Sequence, residues 1–543
     1  MSYIGHILVA LVSLATVDFG WCSEVAYPGI LVALTVSPWI VGRVVRRLVM
    51  AGRFRIAALG ERLLSALPVL LQWWAASGLG WFAFLKEHIG LDLSLETWPG
   101  LSLLAGLAPY LVYQLVAIDA ESRLSPHSSG SASRSRNLQL RFFATALIPF
   151  LVYLSFSSLV GLSETTRVHV EEVSIFSALF TLSLIAFLLW FLPRLIVHAW
   201  ETVPMEAGWM REMLEGVAKR VNFRYRELLL WRTGRMLSNA AIVGFTRNSR
   251  VVLFSDALLT QLRPEELAAV FTHEIGHAKR GHVVSFAAWS LVFLLGANVL
   301  VGLLEEPELP LYLGIFATAL VAWYLAFGYM SRRFELEADL ESRAFFGESG
   351  ALIRALAAVS GPRGQDHTSW RHFSPMRRMQ FLQAVDLDPG IGIRLQKRMR
   401  WVARTGWVLC LLVLAAEGNQ LVENWTPERL SAELRLGHYA HAALLLEEVR
   451  DELDEASIAM VEFAGDLADG LRVDELERRS RTEYQRGNQE STVHLLQLSI
   501  LRGARELIPV LEWLRSPDGG EDGKEGVSEA ELPEAWRTLL LGQ

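Results

Sequence analysis

Residues 271–277 read Phe-Thr-His-Glu-Ile-Gly-His, an H-E-x-x-H motif that stands just before two membrane-length apolar runs. On a helix, His273 and His277 are four residues apart, so both imidazoles leave the same face about one turn apart. This separation suits two ligands of one Zn²⁺ ion, and Glu274 can take a proton from a water on that ion. The motif indicates a metallopeptidase, against the alternative of a helix with two surface histidines.

The residues before the motif predict that it lies on a helix. Pro264 is followed by two glutamates, and a proline with acidic residues in the first turn is typical of a helix start. Leu267 and Val270 then begin an apolar face that continues through the motif. The two histidines are therefore expected to share one helical face.

A second helix, after the two apolar runs, offers a third ligand. The stretch 331–339 reads Ser-Arg-Arg-Phe-Glu-Leu-Glu-Ala-Asp and places Glu335 and Asp339 four residues apart. A carboxylate from a separate helix completes a His₂Glu site and leaves the fourth position for water, and Asp339 is placed to orient a ligating imidazole. The alternative is a charged, solvated helix face, which is what we expect of Glu337 and Glu341.

His282 suggests another zinc-site pattern, which its spacing excludes. In the H-E-x-x-H-x-x-G-x-x-H pattern, the third histidine lies about six residues after the second. His282 lies five residues after His277, so it does not fit this pattern. We therefore expect His282 to be a polar residue at the end of the catalytic helix, where the membrane begins.

The order of several segments resembles the HtpX and CAAX-prenyl-protease family of membrane zinc metallopeptidases over residues 205–385. The segments are Ser-Asn-Ala-Ala at 238–241, Val-Val-Leu-Phe-Ser-Asp-Ala-Leu-Leu at 251–259, the H-E-x-x-H motif, and Ser-Arg-x-x-Glu-x-x-x-Asp at 331–339. The resemblance implies a gluzincin-like core with a small edge sheet. It also implies that Glu335 is the third ligand of one Zn²⁺ per chain.

The same resemblance implies which residues lie near the substrate. The family's Asn-Ala segment lies on an edge strand beside which substrate pairs, and it falls on Asn239 and Ala240. Family members also carry a His-Pro-x-x-x-x-Arg segment. This chain keeps His372 and Arg378 at that spacing, but a phenylalanine stands directly after the histidine. We expect one of these two residues to stabilise the oxyanion.

Composition predicts a membrane protein. The chain has 543 residues, of which 52% are hydrophobic, and a mean hydropathy of +0.29. Nine apolar runs are long enough, or nearly so, to span a bilayer. They lie at about 4–20, 29–45, 64–85, 100–118, 142–162, 174–197, 283–304, 309–330 and 402–416. Two cysteines are too few for a disulfide framework, and dispersed arginines with a net charge of −7 give no nucleic-acid signature.

Arginines orient the predicted spans. Connections rich in arginine alternate with connections poor in it, and the rich ones are expected in the cytoplasm. The segment 198–282 then faces the cytoplasm, and Arg332 and Arg333 place Glu335 on the same side. Both parts of the zinc site therefore meet at one membrane face, and the tail after the ninth run is expected outside the cytoplasm.

Four regions follow from this reading. We expect an N-terminal membrane region at 1–200 with about six spans, and a metallopeptidase core at 201–390 that includes two spans at 283–330. A last span at 391–418 precedes a helical C-terminal domain at 419–543. That domain resembles a degenerate tetratricopeptide-like solenoid, with a small helical bundle as the alternative.

The sequence thus predicts a zinc endopeptidase that cleaves membrane-associated or misfolded proteins. Glu274 is the expected general base, and the expected partners are protein substrates, the lipid bilayer and proteins that bind the C-terminal domain. The resemblance implies an integral protein of the bacterial inner membrane whose site faces the cytoplasm. Two alternatives stay open, namely prenyl-CAAX processing and a membrane scaffold with a structural or vestigial zinc site.

Overall fold

The computed structural model describes residues 3–12, 27–81, 84–85, 99–124, 129–244, 246–304, 308–366, 368–449, 473–487, 489–501, 504–515 and 532–541. The chain divides into two compact units, one formed by Met1–Leu162 with Phe180–Gln420 and the other by Ser163–Leu179 with Leu421–Gln543. The expected fold class is confirmed, because these residues form a mainly α, multi-span membrane protein with a small sheet and a helical C-terminal region.

Eight α-helices and one short π-helix (Trp74–Gly78) precede the sheet among the described residues. The α-helices are α1 (Tyr3–Val12), α2 (Tyr27–Met50), α3 (Phe54–Trp73), α4 (Pro99–Gly106), α5 (Ala108–Ser122), α6 (Ser129–Gly161), α7 (Glu164–Glu172) and α8 (Ser174–Ala199). Gln72 of α3 links α4 to α5, because its amide donates to the carbonyl of Gly106 and accepts from the backbone N–H of Tyr110. Both the nitrogen and the oxygen of this buried amide thus have a partner, as is usual for a buried polar group.

Within the described ranges, five helices are long and apolar enough to cross a membrane: Ala132–Gly161, Ser174–Ala199, His282–Gly302, Leu309–Phe346 and Pro389–Glu423. They coincide with the last five of the nine predicted runs. The run at 4–20 lies partly outside the described residues. Arginines in the second half of α2 lower its hydropathy, and the run at 100–118 is divided at Leu107 into α4 and α5.

The region between α8 and the H-E-x-x-H motif is built on a four-stranded sheet. Its strands are β1 (Thr202–Pro204), β2 (Glu227–Trp231), β3 (Ala240–Val243) and β4 (Val251–Ser255), in the order β1-β2-β4-β3. Strands β2 and β4 pair in parallel, and the other two pairs are antiparallel. All five residues of β4 are buried, which fits a central apolar strand, whereas β3 lies at the edge.

Helices surround this sheet and continue into the membrane. They are α9 (Trp209–Arg220), α10 (Asp256–Gln261), α11 (Pro264–Arg280), α12 (His282–Gly302), α13 (Leu309–Phe346), α14 (Gly350–Gly364), α15 (Pro375–Leu387) and α16 (Pro389–Glu423). The main core joins the sheet to α9, α11 and α14, with Leu214, Phe254, Phe271 and Ala355 among its buried members. This core fixes α11 against a rigid sheet.

The second unit is helical throughout its described residues. After α16 come α17 (Trp425–Arg435), α18 (Tyr439–Val449), α19 (Val473–Gln485), α20 (Gln489–Leu501), α21 (Ile508–Arg515) and α22 (Glu534–Leu541). Helices α17 and α18 form a hairpin at Gly437, whose φ of 75° suits glycine, and they bury Leu430 against Leu446. Helix α7 packs on α17 through Val168 and Ala432.

Candidate metal and catalytic site

Helix α11 holds the H-E-x-x-H motif rigidly because both of its ends are well formed. At its start, the Glu266 carboxylate accepts from the backbone N–H of Arg263 at 2.9 Å, and Pro264 occupies the first turn. At its end, Gly281 adopts a left-handed conformation with φ 65°. Between them Phe271 and Ile275 are fully buried in the core. His273, Glu274 and His277 therefore project from a helix with a fixed rotation.

Helix α13 brings Glu335 to the two histidines because it approaches α11 closely. Gly276 makes this approach possible, since a Cβ at that position would lie 3.0 Å from Cα of Ala338. The membrane-spanning first half of α13 continues without a break into the half that carries Glu335 and Asp339. The carboxylates are thus placed beside the H-E-x-x-H helix by a rigid element.

Three side chains converge in the geometry of a metal site. His273 Nε2 and His277 Nε2 lie 3.2 Å apart, and they are 3.8 and 3.5 Å from the nearer oxygens of Glu335. Ligands about 2.0–2.2 Å from a tetrahedral Zn²⁺ are separated by about 3.3–3.5 Å. The donor set of two imidazoles and one carboxylate is also the set found in catalytic zinc sites. These residues therefore fit zinc both in chemistry and in spacing.

The first imidazole is oriented by a carboxylate. His273 Nδ1 lies 2.8 Å from Oδ1 of Asp339, which is completely buried. Arg378 donates to the same carboxylate, with Nε at 2.9 Å and Nη2 at 2.5 Å, and its Nη1 lies 3.2 Å from Glu335. The guanidinium thereby links Asp339 to Glu335. Either His372 or Arg378 was expected to act on the oxyanion, and the structure links Arg378 to both Asp339 and Glu335.

The second imidazole is linked to two residues outside the predicted site. The sequence analysis expected Glu337 on a solvated face, which is wrong, and it placed His282 where the helix ends and the membrane begins, without a contact to the site. Both are buried, His282 at 2% and Glu337 at 3% exposure. His282 Nδ1 lies 2.9 Å from Nδ1 of His277, and its Nε2 lies 3.2 Å from Glu337 Oε2. The correction follows from the close packing of α11 on α13, which turns Glu337 inward.

His372 lies at the mouth of the site. Its Nδ1 is 3.3 Å from Glu335 Oε1, and its side chain is about half exposed. The segment before it is anchored to α13, because Trp370 stacks on Tyr324 at 4.3 Å between ring centroids and its carbonyl accepts from Arg332. The histidine is thus held near the ligands by contacts with a membrane-spanning helix.

Burial sets the charge states of the H-E-x-x-H residues. It raises the pKa of the Glu274 carboxyl from 4.5 to about 7 and, together with the charge of His273, lowers the pKa of His277 from 6.5 to about 3. Burial also favours neutral His273, but the hydrogen bond that His273 donates to the Asp339 carboxylate, together with the negative charge of that carboxylate, outweighs burial and raises the pKa of His273. A neutral His277 is the form that binds metal, and a Glu274 pKa near 7 suits a general base.

A cleft of about 470 Å³ joins the metal site to the edge strand. Its lining includes the predicted residues Asn239, Ala240, His273, Glu274, His277, Glu335, His372 and Arg378. Asp339 lies behind His273, outside the lining residues. The structure therefore brings together, in or beside one cleft, every site residue that the sequence analysis named.

The register of β3 shows which backbone groups face this cleft. Asn239 and Ser255 form a hydrogen-bonded pair, since the N–H of Ser255 donates to the Asn239 carbonyl and the N–H of Asn239 donates to the Ser255 hydroxyl. In an antiparallel pair the following residues alternate, so the N–H and C=O groups of Ala240 and Ile242 point to the open edge. Of the two predicted residues, Ala240 offers a backbone to an extended peptide, and Ile242 is a residue that the sequence analysis missed.

Together the fold and site define a class of protein: a membrane protein with several spans, in which an H-E-x-x-H helix and a glutamate from a membrane-continuous helix form a His₂Glu cluster that could hold a metal ion. Comparison with known proteins finds a family match for one part of the chain. Residues 204–386 match the model of peptidase family M48, which confirms the resemblance to HtpX and the CAAX prenyl proteases.

Individual relatives cover limited parts of the chain. Protease HtpX of Pseudomonas entomophila (strain L48) is 28% identical over 177 residues, which are 29% of this chain and 57% of that protein. The CAAX prenyl protease 1 homolog of Oryza sativa subsp. japonica is 38% identical over 96 residues, 17% of this chain and 22% of that protein. The crystal structure of S. mikatae Ste24p aligns with 59% of this chain and 98% of that chain, at a TM-score of 0.31 and 16% identity. The chain thus spans little more than half the length of the HtpX relative.

Proposed function

We propose that this chain is a membrane-embedded, zinc-dependent endopeptidase that hydrolyses peptide bonds of membrane-associated or misfolded proteins. The observation that carries the proposal is the single cleft in which two imidazoles, a ligand carboxylate, an additional glutamate and an open strand edge meet. A purely structural zinc site needs neither the additional glutamate nor the open edge, which is why we favour an enzyme over a scaffold.

In the proposed reaction, one Zn²⁺ held by His273, His277 and Glu335 supplies Lewis-acid polarisation of the water and of the scissile carbonyl. The Glu274 carboxylate takes the proton of the attacking water and later gives it to the leaving amine. His372, half exposed at the cleft mouth, donates to the oxyanion. Arg378 holds Asp339 and Glu335 in place and adds positive charge beside the reacting centre.

The substrate binds as an added strand. An extended peptide laid along β3 would exchange hydrogen bonds with the backbone of Ala240 and Ile242 and would pass the metal ligands on the other side of the cleft. Unfolded or unstructured segments can adopt this form, whereas folded domains cannot. This supports processing of unfolded membrane-associated chains, with prenyl-CAAX processing as the alternative that shares the same backbone recognition.

The location that we propose is the bacterial inner membrane, with the site on the cytoplasmic face and the C-terminal helical unit outside the cytoplasm. The alternation of arginine-rich connections supports this orientation. The C-terminal helical unit is then a surface for protein partners on the far side of the membrane.

The proposal is tested by metal analysis of the purified full-length protein. We expect about one zinc per chain, because a catalytic zinc ion is typically held by three protein ligands. The double variant His273→Ala, His277→Ala should lose that zinc. Substitution of Glu341, which pairs with Lys279 outside the ligand set, serves as the control and should leave the zinc in place. Full zinc in the double variant would reject the proposed site.

Substrate pairing is tested by a proline in the edge strand. Ile242→Pro removes an N–H that faces the open edge and none that β4 uses, so the sheet should remain intact while KM rises. Ile242→Ala is the matched control, because it shortens the same side chain but keeps the N–H. Equal KM values for the two variants would show that the backbone of residue 242 does not bind substrate.

A further inference from the structure

The two imidazoles of the proposed zinc site are supported in different ways. His273 meets the Asp339 carboxylate directly, at 2.8 Å from Nδ1. His277 meets a second imidazole instead, because the Nδ1 atoms of His277 and His282 lie 2.9 Å apart. A carboxylate appears only beyond that imidazole, where His282 Nε2 lies 3.2 Å from Glu337. His282 and Glu337 have no part in the reaction proposed above.

Proton positions along this chain follow from the ligand role of His277. Its Nε2 faces His273 and Glu335, so a metal-binding Nε2 carries no hydrogen and the neutral ring carries its hydrogen on Nδ1. That Nδ1–H then donates to Nδ1 of His282. His282 in turn carries its hydrogen on Nε2 and donates it to the Glu337 carboxylate. Every donor in the chain thereby has an acceptor.

The surroundings hold His282 in this orientation. Its ring stacks on Phe334 with 4.1 Å between centroids and 10° between planes. The other oxygen of Glu337 lies 3.9 Å from Arg280 Nη1. His282 also begins α12 directly after the left-handed Gly281. The imidazole is thus fixed by an aromatic contact, a charged partner and the helix start.

We infer that His282 and Glu337 are positioning residues, which fix the tautomer and the ring orientation of the metal ligand His277 through an imidazole-to-carboxylate relay. This inference rests on the proposed zinc site and extends it to two buried residues. Groups that orient a metal-ligating imidazole raise its basicity, and their loss typically weakens metal affinity about 10–100-fold. The relay also joins the start of a membrane span to the metal ligand.

The test measures zinc affinity of the full-length protein in detergent by competition with a chelator of known affinity. His282→Phe keeps an aromatic ring for the Phe334 stack but removes the acceptor, and we expect zinc affinity to fall about 10–100-fold. His282→Gln offers an amide oxygen to His277 and should recover part of the loss. In hydrolysis, His282→Phe should lower kcat with KM nearly unchanged, because the backbone groups proposed to bind the substrate belong to Ala240 and Ile242.

A matched pair on α13 provides the control. Glu337→Leu and Glu341→Leu remove the same charge one turn apart, and both glutamates lie near Arg280. We expect only Glu337→Leu to weaken zinc binding. If His282→Phe does not fold, His282→Gln and the glutamate pair decide the question.

Zinc affinities of His282→Phe and Glu337→Leu that stay within about twofold of the parent would overturn the relay, given the usual size of such effects. So would an equal loss in Glu337→Leu and Glu341→Leu. Failure of the proposed function looks different, because the parent protein itself would then bind no zinc at the three ligands.

Discussion

The close approach of α11 and α13 at Gly276 can be tested by adding a single methyl group. Gly276→Ala would place a Cβ 3.0 Å from both Cα of Ala338 and Cβ of Glu341, and 3.1 Å from the Ala338 carbonyl oxygen. Carbon atoms in favourable contact lie about 3.5–4.0 Å apart, so the helices must separate by about 0.5 Å or more. Two of these contacts are backbone atoms, which cannot rotate away. The added methyl therefore acts directly on the distance between the two metal-binding helices.

The expected magnitude comes from two opposing terms. Overpacking of a tight contact costs about 1–3 kcal/mol, whereas replacing glycine by alanine within a helix gains about 0.4–1 kcal/mol through the unfolded state. The net change is a loss of about 1–2 kcal/mol in the free energy of unfolding. Because Glu335 moves with α13, its distances of 3.5 and 3.8 Å to the histidines lengthen, and zinc binding weakens as well.

The assay compares thermal unfolding and zinc affinity of Gly276→Ala and Gly216→Ala in the same detergent. Gly216 lies in α9, and a Cβ there meets nothing within 4 Å, so alanine should be neutral or stabilising at that position. We expect a lower Tm and weaker zinc binding for Gly276→Ala alone. If Gly276→Ala matched or exceeded the Tm of the parent protein and kept its zinc affinity, the close helix contact would not determine the site.

Other predictions concern charge, orientation and topology. Glu274 must be ionised to act as a base, and burial raises its pKa from 4.5 to about 7. We therefore expect kcat/KM to fall as the pH falls through this range, and a bound cation that offsets the effect of burial moves the fall to lower pH. A rate that rises on acidification would contradict this. Asp339→Asn should weaken zinc binding about 10–100-fold in a chelator competition, because the amide cannot take both the His273 and the guanidinium hydrogen bonds as a carboxylate does, and unchanged affinity would exclude that role. Reporter fusions after Arg211 and after Gly520 should report opposite sides of the membrane, and the same side for both would mean that the last apolar run does not cross.

Local sequence was sufficient to predict that the two histidines of the proposed metal site share one helical face. The helix at 264–280 follows from its proline, its acidic first turn and its apolar spacing, and helical geometry then places His273 and His277 on one face. Glu335 required more, because about 60 residues and two membrane spans separate it from the motif, and only the order of motifs pointed to it. Its distance to the histidines depends on packing at Gly276, which no local pattern contains.

The sequence analysis misread Glu337 and gave no part in the site to His282. Glu337 stands among charged neighbours, so local composition predicts exposure. Both residues are buried because two long helices meet there, and each supplies the hydrogen-bond partner that the other needs. The Gly281-His282 pair that follows the motif was a usable signal, since it places an imidazole within reach of His277. The sequence analysis also missed Ile242 on β3. The register of β3 with β4 decides which backbone groups face the open edge, and the local sequence does not contain that register.

The central claim is that Glu274 acts as the base of a zinc peptidase, and the most direct measurement is the rate of peptide hydrolysis by zinc-loaded Glu274→Gln. Glutamine keeps the shape of the side chain and is not a ligand in this account, so the variant should retain about one zinc per chain. Its hydrolysis rate should fall by a factor on the order of 10² or more, as expected for a lost general base. A variant that retains zinc and hydrolyses peptides at the parental rate would contradict the account.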